Sequence, residues 1–213
     1  MKKQNFVLYL CSAYCVFTVI QNIFEMKTIG TESLAIVGGG ILVSWITFMI
    51  NDIVTEVYGK ETSIKVFVIA GILNTIIVIL AQLLIALPGS YEEQNIAFAQ
   101  IFSNSVRTTL ASLTAFYIGN YINMKVMLTM KGDKNNEGLF GRAVVSTVLG
   151  QFTDNMLFVT IAFAPIGLSA FEMTWVDILT SVIGGTCIET LVESIFVPII
   201  TIPVAKKLKE IED

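Results

Sequence analysis

Asp52 and Glu56 stand one helical turn apart in NDIVTEVYG, residues 51–59, directly after LAIVGGGILVSWITFMI, a run of seventeen residues without a charge. Further ionisable groups lie deep in other apolar stretches: Arg107, Asp154, and the pair Glu189 and Glu193, spaced i, i+4. Amides and rings accompany them. STVLGQFTDNMLF places Thr147, Gln151, Asp154, Asn155 and Phe158 at i, i+4, i+7, i+8 and i+11, one face of a helix. Asn51, Thr55 and Tyr58 share a second face, beside Asp52 and Glu56. Such a set can hydrogen-bond and stack a planar polar molecule. It contains no nucleophile paired with a base and no metal-cage pattern, and the chain has no histidine for either purpose. No catalytic residue, no metal site and no cofactor are expected.

The elements that must position these groups are membrane spans. Of 213 residues, 54% are hydrophobic and 14% charged, against roughly 25% charged in soluble domains. The net charge of −4 comes with no basic stripe, so nucleic acid is not an expected partner. Cys11, Cys15 and Cys187 lie in apolar runs and read as small apolar residues. The GGG run at 38–40 and the pair Gly184 and Gly185 read as close helix packing. Six segments are long and apolar enough to cross a bilayer: 6–24, 33–57, 63–87, 97–122, 142–165 and 175–204. The fourth is the most polar, and its start, NIAFAQIF, has the amphipathic pattern of an interfacial segment.

Basic residues set the orientation. Lys2, Lys3, Lys60, Lys65, Lys125, Lys131, Lys134, Arg142, Lys206, Lys207 and Lys209 all fall on one side if the N-terminus is cytoplasmic, and Lys27 alone falls on the other. The expected fold class is all-α: a polytopic bundle of six transmembrane helices, both termini cytoplasmic, forming one domain over 1–213 in the inner (plasma) membrane.

A charge at the bilayer centre costs roughly 2.5–3.5 kcal/mol on the insertion scale. Arg107, Asp154, Glu189, Glu193 and Asp52 must therefore face each other, a water-filled cavity or a ligand. Glu56 lies nearer the cytoplasmic surface, where a solvated site beside Lys60 and Lys65 is an alternative. By depth, Asp154 is the first-choice partner of Arg107, and Glu189 the second. The two glutamates repel unless one is protonated or a cation intervenes.

Three segments carry a family resemblance. NDIVTEVYG resembles the (T/N)D-x-x-x-E-x-Y-G signature of the YhhQ/VUT-type queuosine precursor transporters. SVRTTLASLTAF is similar to that family's Arg-x-x-x-x-Ser-x-x-Ala segment, and STVLGQFTDNMLFVTIAF to its Ser-Thr-x-x-x-Gln-x-x-Asp segment. The chain departs from the pattern at GNYIN, 119–123, where the family often has Ser-Gln-x-x-Asp, and at Asn155, where it has Thr. The resemblance implies uptake of 7-deazaguanine bases, or of queuine. A guanine-type edge presents adjacent N–H donors, which suit a carboxylate, and a carbonyl, which suits an amide or guanidinium. Asp154 or Glu56 could take the donors, Gln151, Asn155 or Arg107 the carbonyl, and Phe158 or Tyr58 the ring face. With Asn51, Asp52 and Glu189 these form the expected substrate-binding set. The expected partners are that base and the lipid bilayer, with homo-oligomerisation open. Two other classes suit a chain of this size: a substrate-capture subunit of an ATP-driven vitamin uptake complex, and a proton or cation channel built on the carboxylates. An intramembrane aspartyl protease using Asp52 and Asp154 lacks the Gly-x-Gly-Asp loop such enzymes need.

Overall fold

The computed structural model describes residues 3–25, 27–30, 37–102, 106–131, 138–167 and 172–211. The chain is helical almost throughout. Helix α1 (Lys3–Glu25) leads through a two-residue antiparallel pairing, β1 (Thr28–Ile29) with β2 (Val37–Gly38), into α2 (Ile41–Ala86). Then come α3 (Glu92–Phe102), α4 (Val106–Lys131), α5 (Leu139–Phe163) and α6 (Trp175–Phe196). A π-helical turn (Val197–Thr201) joins α6 to α7 (Ile202–Glu210). Pro198 and Pro203 lie at the two ends of that turn. Each removes a backbone donor, which is a standard cause of a local change in helical pitch.

Helix α2 would be about 69 Å long if straight, more than twice a hydrocarbon core. It is not straight. Gly59 has φ 81° and ψ −177°, a region open only to glycine. Asn51 and Ser63 would lie about 18 Å apart along one straight helix, yet the Ser63 hydroxyl donates to Asn51 Oδ1 at 2.7 Å. Thr55 donates to Ser63 at 3.0 Å across the same turn. The two arms of α2 therefore fold back side by side about Gly59, with Val54 of one packed among Val66, Phe67 and Ala70 of the other. The arms overlap the expected segments 33–57 and 63–87, but the first begins only at Ile41: 37–38 form β2, and 33–36 lie outside the described residues.

The bundle is polar inside and apolar outside. Asn51, Asp52, Ser63, Asn123, Gln151 and Glu193 are buried, whereas Leu42, Leu83, Leu84, Leu179 and Leu191 are exposed. That inversion is what lipid requires of a polytopic protein. Four helices among the described residues are long and apolar enough to cross a membrane: α1, α2, α5 and the continuous 175–210 rod. The chain is a multi-pass membrane protein.

The fourth expected segment, 97–122, is corrected. Its first part is the separate helix α3, and the long helix is α4, Val106–Lys131. Helix α4 falls short of the apolarity of the other spans because its polar side chains are turned inward. Asn120 and Asn123 are buried, and Arg107 and Ser112 bond to α5 and α1. Arg142, expected in the loop before the fifth span, instead lies in the first turns of α5 and is buried.

Gly59 and Gly141 both have open space where a Cβ would go, but only Gly59 has a positive φ. Gly59→Ala is expected to cost on the order of 1–3 kcal/mol. Gly141→Ala, in a regular helix, should be neutral or stabilise by roughly 0.5–1 kcal/mol. Thermal unfolding in detergent compares the two, and equal melting temperatures would remove Gly59 as the hinge of α2.

Candidate functional site

Three groupings stand out among the buried polar groups of the described residues: a latch between helices, an ion-pair cluster at one end of the bundle, and a cavity toward the other. The latch centres on Asn51. Its amide donates to Asn123 Oδ1 at 3.2 Å and to Asn120 Oδ1 at 3.4 Å, while Tyr14 donates to Asn120 Oδ1 at 2.6 Å. With Ser63 on its own Oδ1, Asn51 ties α1, both arms of α2 and α4 together. Tyr58 is half-buried among apolar side chains of α1 and the α7 end.

The ion-pair cluster centres on Glu56. Arg142 of α5 donates to both carboxylate oxygens, at 2.9 and 3.4 Å. Lys131, at the end of α4, lies 3.3 Å from Oε1 and donates to the Glu56 backbone carbonyl at 2.8 Å. Lys209 of α7 also donates to Oε1. Glu56 and Arg142 are 0% and 3% exposed, whereas the two lysines keep about a fifth of their surface open. The lysines thus reach in from the surface to a pair whose side chains are buried. A solvated Glu56 beside Lys60 and Lys65 is not what forms. Lys131, Arg142 and Lys209, counted among the orientation-setting charges, supply the pairing instead. Removing one partner of a buried pair costs roughly 3–5 kcal/mol, so this cluster holds the ends of α2, α4, α5 and α7 firmly together.

The cavity lies at the end of the bundle where α1 finishes and α2 begins. Its empty space, mouth included, is about 630 Å³. Helix α1 contributes Thr18, Gln21, Asn22 and Glu25, the second arm of α2 contributes Asn74, and α4 contributes Ser112 and Phe116. Helix α5 contributes Asp154, Asn155 and Phe158, and α6 contributes Glu189. The polar stripe of α5 therefore faces the interior as its spacing suggests. Asp154 has no hydrogen bond or ion pair to the other described residues, so its carboxylate is free for a ligand. Its position is set by a tight crossing. A Cβ on Gly119 would lie 2.8 Å from Asp154 Cβ, and one on Gly150 would lie 2.8 Å from Asn123 Cβ. These two glycines let α4 and α5 approach closely enough to bring Asp154 to the wall.

Glu189 forms the floor. Asn155 donates to Oε2 at 2.8 Å, Ser44 donates to Oε1, and Gln151, with its amide nitrogen turned to the carboxylate, donates at 2.7 Å. One turn further along α6, Glu193 Oε1 accepts from Thr147 at 2.8 Å, and Oε2 has no hydrogen-bond partner among the described residues. Asp52 is fully buried, and neither of its oxygens has a hydrogen-bond partner of good geometry among the described residues.

Of the residues expected to bind substrate, Asp154, Asn155, Phe158 and Glu189 line the cavity, and Gln151 supports Glu189 from behind. Asn51, Asp52, Glu56 and Tyr58 lie elsewhere. Arg107 does not meet Asp154. Its Nε donates to the Ile161 carbonyl at 2.5 Å and its Nη2 to the Ala164 carbonyl at 2.9 Å, and Nη1 stands 3.9 Å from Glu172. It caps the C-terminal end of α5, where carbonyls lack helical partners and the helix dipole favours a cation. The lining residues Thr18, Gln21, Asn22 and Glu25 were not singled out from the sequence. Their spacing of i, i+3, i+4 and i+7 along one face of α1 is the signal that marks them.

A family model described as "Putative vitamin uptake transporter" matches residues 38–202. That range holds the α2 hinge, the Glu56 cluster except Lys209, and the α5 and α6 walls of the cavity. No curated protein and no solved structure matches the chain.

Proposed function

Since the chain belongs to the vitamin uptake transporter family, we propose that its cargo is a queuosine precursor, a 7-deazaguanine base or queuine, carried across the inner (plasma) membrane. The observation that carries this reading is the wall formed by α5. An unpaired carboxylate, Asp154, stands beside the Asn155 amide and the Phe158 ring in one cavity. Adjacent N–H donors of a guanine-type edge suit Asp154, its carbonyl suits an amide, and its ring suits Phe158. One of the three segments that resemble the queuosine precursor transporters, STVLGQFTDNMLFVTIAF, lies on this same helix, which supports the same cargo.

Transport follows from the two unlike ends of the bundle. The cavity is open at one end, and the Glu56 cluster closes the other. Along α5 the wall residue Asp154 and the cluster residue Arg142 are about 18 Å apart, so a ligand in the cavity is held well away from the sealed end. Release on that side requires the cluster to part. The proposed topology has six spans, with the two arms of α2 as separate crossings and both termini cytoplasmic. The sealed end is then cytoplasmic and the cavity faces outward.

Two measurements check this reading. A cysteine placed at Ser90 and another at Lys134, each on a cysteine-free background, are expected to react with an impermeant thiol reagent from opposite sides. Labelling from the same side contradicts the topology. In a strain unable to make queuosine or import its precursors, the chain is expected to restore queuosine in tRNA when a 7-deazaguanine base is supplied. Asp154→Asn and Asn155→Ala are each expected to abolish the rescue at unchanged protein levels. Failure of the wild-type chain to rescue would remove the cargo assignment, and full rescue by Asp154→Asn would remove the site.

A further inference from the structure

Between the cavity floor and the sealed end lie carboxyl groups that neither ion pairs nor substrate account for. Glu189 faces the cavity, Glu193 follows it by one turn of α6, a rise of about 6 Å, and Asp52 stands across from Glu193 on α2. Electrostatic contacts run along this series in order. Asp154 and Glu25 act on Glu189, Glu189 and Asp52 act on Glu193, and Glu56 and Arg142 act on Asp52. The middle of the series is the least compensated. Asp52 is 0% exposed and Glu193 1% exposed, and among the described residues both Asp52 oxygens and Glu193 Oε2 lack a hydrogen-bond partner of good geometry. Asn123 and Ser146 are the donors beside Asp52, close enough to interact with it weakly but short of good hydrogen-bonding geometry.

The charged and titratable groups around these two carboxyls are Glu56 on α2, Glu189 on α6 and Arg142 on α5. The one cation among them, Arg142, is already bidentate to Glu56. Lys131 and Lys209 are likewise engaged with Glu56. A negative charge on Asp52 or Glu193 would have no counter-ion, and an uncompensated buried charge costs several kcal/mol. A bound proton removes that cost. Glu189 differs, because donors from Ser44, Asn155 and Gln151 surround it. A ring of donors suits a carboxylate that alternates between holding and releasing a proton, and it repels a metal cation.

We propose that Glu189, Glu193 and Asp52 form a file of carboxyl groups that carries protons from the cavity floor to the Glu56 cluster, so that cargo entry is coupled to an inward proton gradient. Each transfer moves a proton from the hydroxyl of one carboxylic acid to the carboxylate oxygen of the next, and one proton moves inward for each pass along the file. Protonation of Glu56 removes the anion that holds Arg142, Lys131 and Lys209 together, which opens the sealed end. Cargo reaches the file through Asp154, whose charge acts on Glu189. N–H donors of a bound base at Asp154 weaken that repulsion. This coupling rests on the cargo reading above; the proton file itself does not.

The test uses the full chain reconstituted in liposomes, with a labelled 7-deazaguanine base and a pH-sensitive dye inside. Wild type is expected to accumulate base when the outside is acidic, to acidify the lumen as it does so, and to lose accumulation when a protonophore is added. Glu193→Gln is expected to keep exchange of internal for external base, while its accumulation ratio falls to about one, the value for transport without an energy source. Accumulation that survives the protonophore, follows sodium instead, or is unchanged in Glu193→Gln overturns the proposal. A second measurement needs no cargo. Infrared difference spectra of the reconstituted protein near neutral pH are expected to show the carbonyl stretch of buried protonated carboxyls, reduced in Glu193→Gln and again in Asp52→Asn. If no base exchange occurs at all, the cargo assignment fails and the infrared result decides the proton file. Absence of the band, or a band unchanged in both variants, overturns it.

Discussion

Glu56 is an anion buried where four helices meet, and the bundle depends on how it is neutralised. It lies just before the Gly59 hinge, on the first arm of α2. Arg142 pairs with it from the start of α5, Lys131 from the end of α4 and Lys209 from the end of α7. A carboxylate at that depth cannot stay charged alone, and three cations cannot gather there without it. The charges therefore fix which helix ends come together, and with them the closed end of the protein. Lys131 ends α4 and Arg142 stands in the first turns of α5, so both meet Glu56 at the same end of the bundle. The π-helical turn at Val197–Thr201 changes the winding of the α6 rod before Lys209 comes round to Glu56.

Toward the cavity the constraint changes from charge to contact. Gly119 and Gly150 draw α4 against α5, so that Asp154 projects into the space left by α1 and α6. Arg107 anchors the last carbonyls of α5. Glu25 sits against the Gly38–Gly40 run where the chain enters α2. Helix α5 consequently spans both regimes. Its first turn belongs to the sealed end and its last third to the cavity wall, so any tilt of α5 moves Arg142 and Asp154 together. An element with that property can link occupancy of the cavity to the state of the seal.

Much of this was legible in the sequence, for a specific reason. In lipid, a polar residue inside an apolar run has few options, so period and depth locate the interior face. The stripe Thr147, Gln151, Asp154, Asn155 and Phe158 faces the interior as its spacing says, and Glu189 and Glu193 follow the same logic. Partners were harder to read, because depth fixes height along a helix but not direction around it. Arg107 reads as a mid-membrane residue when its span is taken to begin at 97, but α4 begins at Val106, so Arg107 meets the Ala164 carbonyl about 15 Å along α5 from Asp154. Asn51 reads as a ligand until the hinge at Gly59 brings Ser63, twelve residues later, onto its carbonyl oxygen. Arg142 and Lys131 read as solvated orientation charges because they flank a polar turn, and only packing shows that they face inward. Glu25 escaped notice for the opposite reason, since a carboxylate at the end of a span is the ordinary place for one.

The central claim is that Asp154 at the α5 wall recognises the donor edge of a guanine-type base. Equilibrium binding of a labelled 7-deazaguanine base to the purified chain in lipid nanodiscs tests it most directly, with unlabelled 7-deazaguanine and 7-deazaadenine as competitors. Adenine-type edges lack the adjacent N–H donors that a carboxylate accepts. The account predicts saturable binding displaced by the guanine analogue and not by the adenine analogue, and weakened at least about tenfold by Asp154→Asn, equivalent to about 1.4 kcal/mol. Equal displacement by both analogues, or undiminished binding by Asp154→Asn, would contradict it.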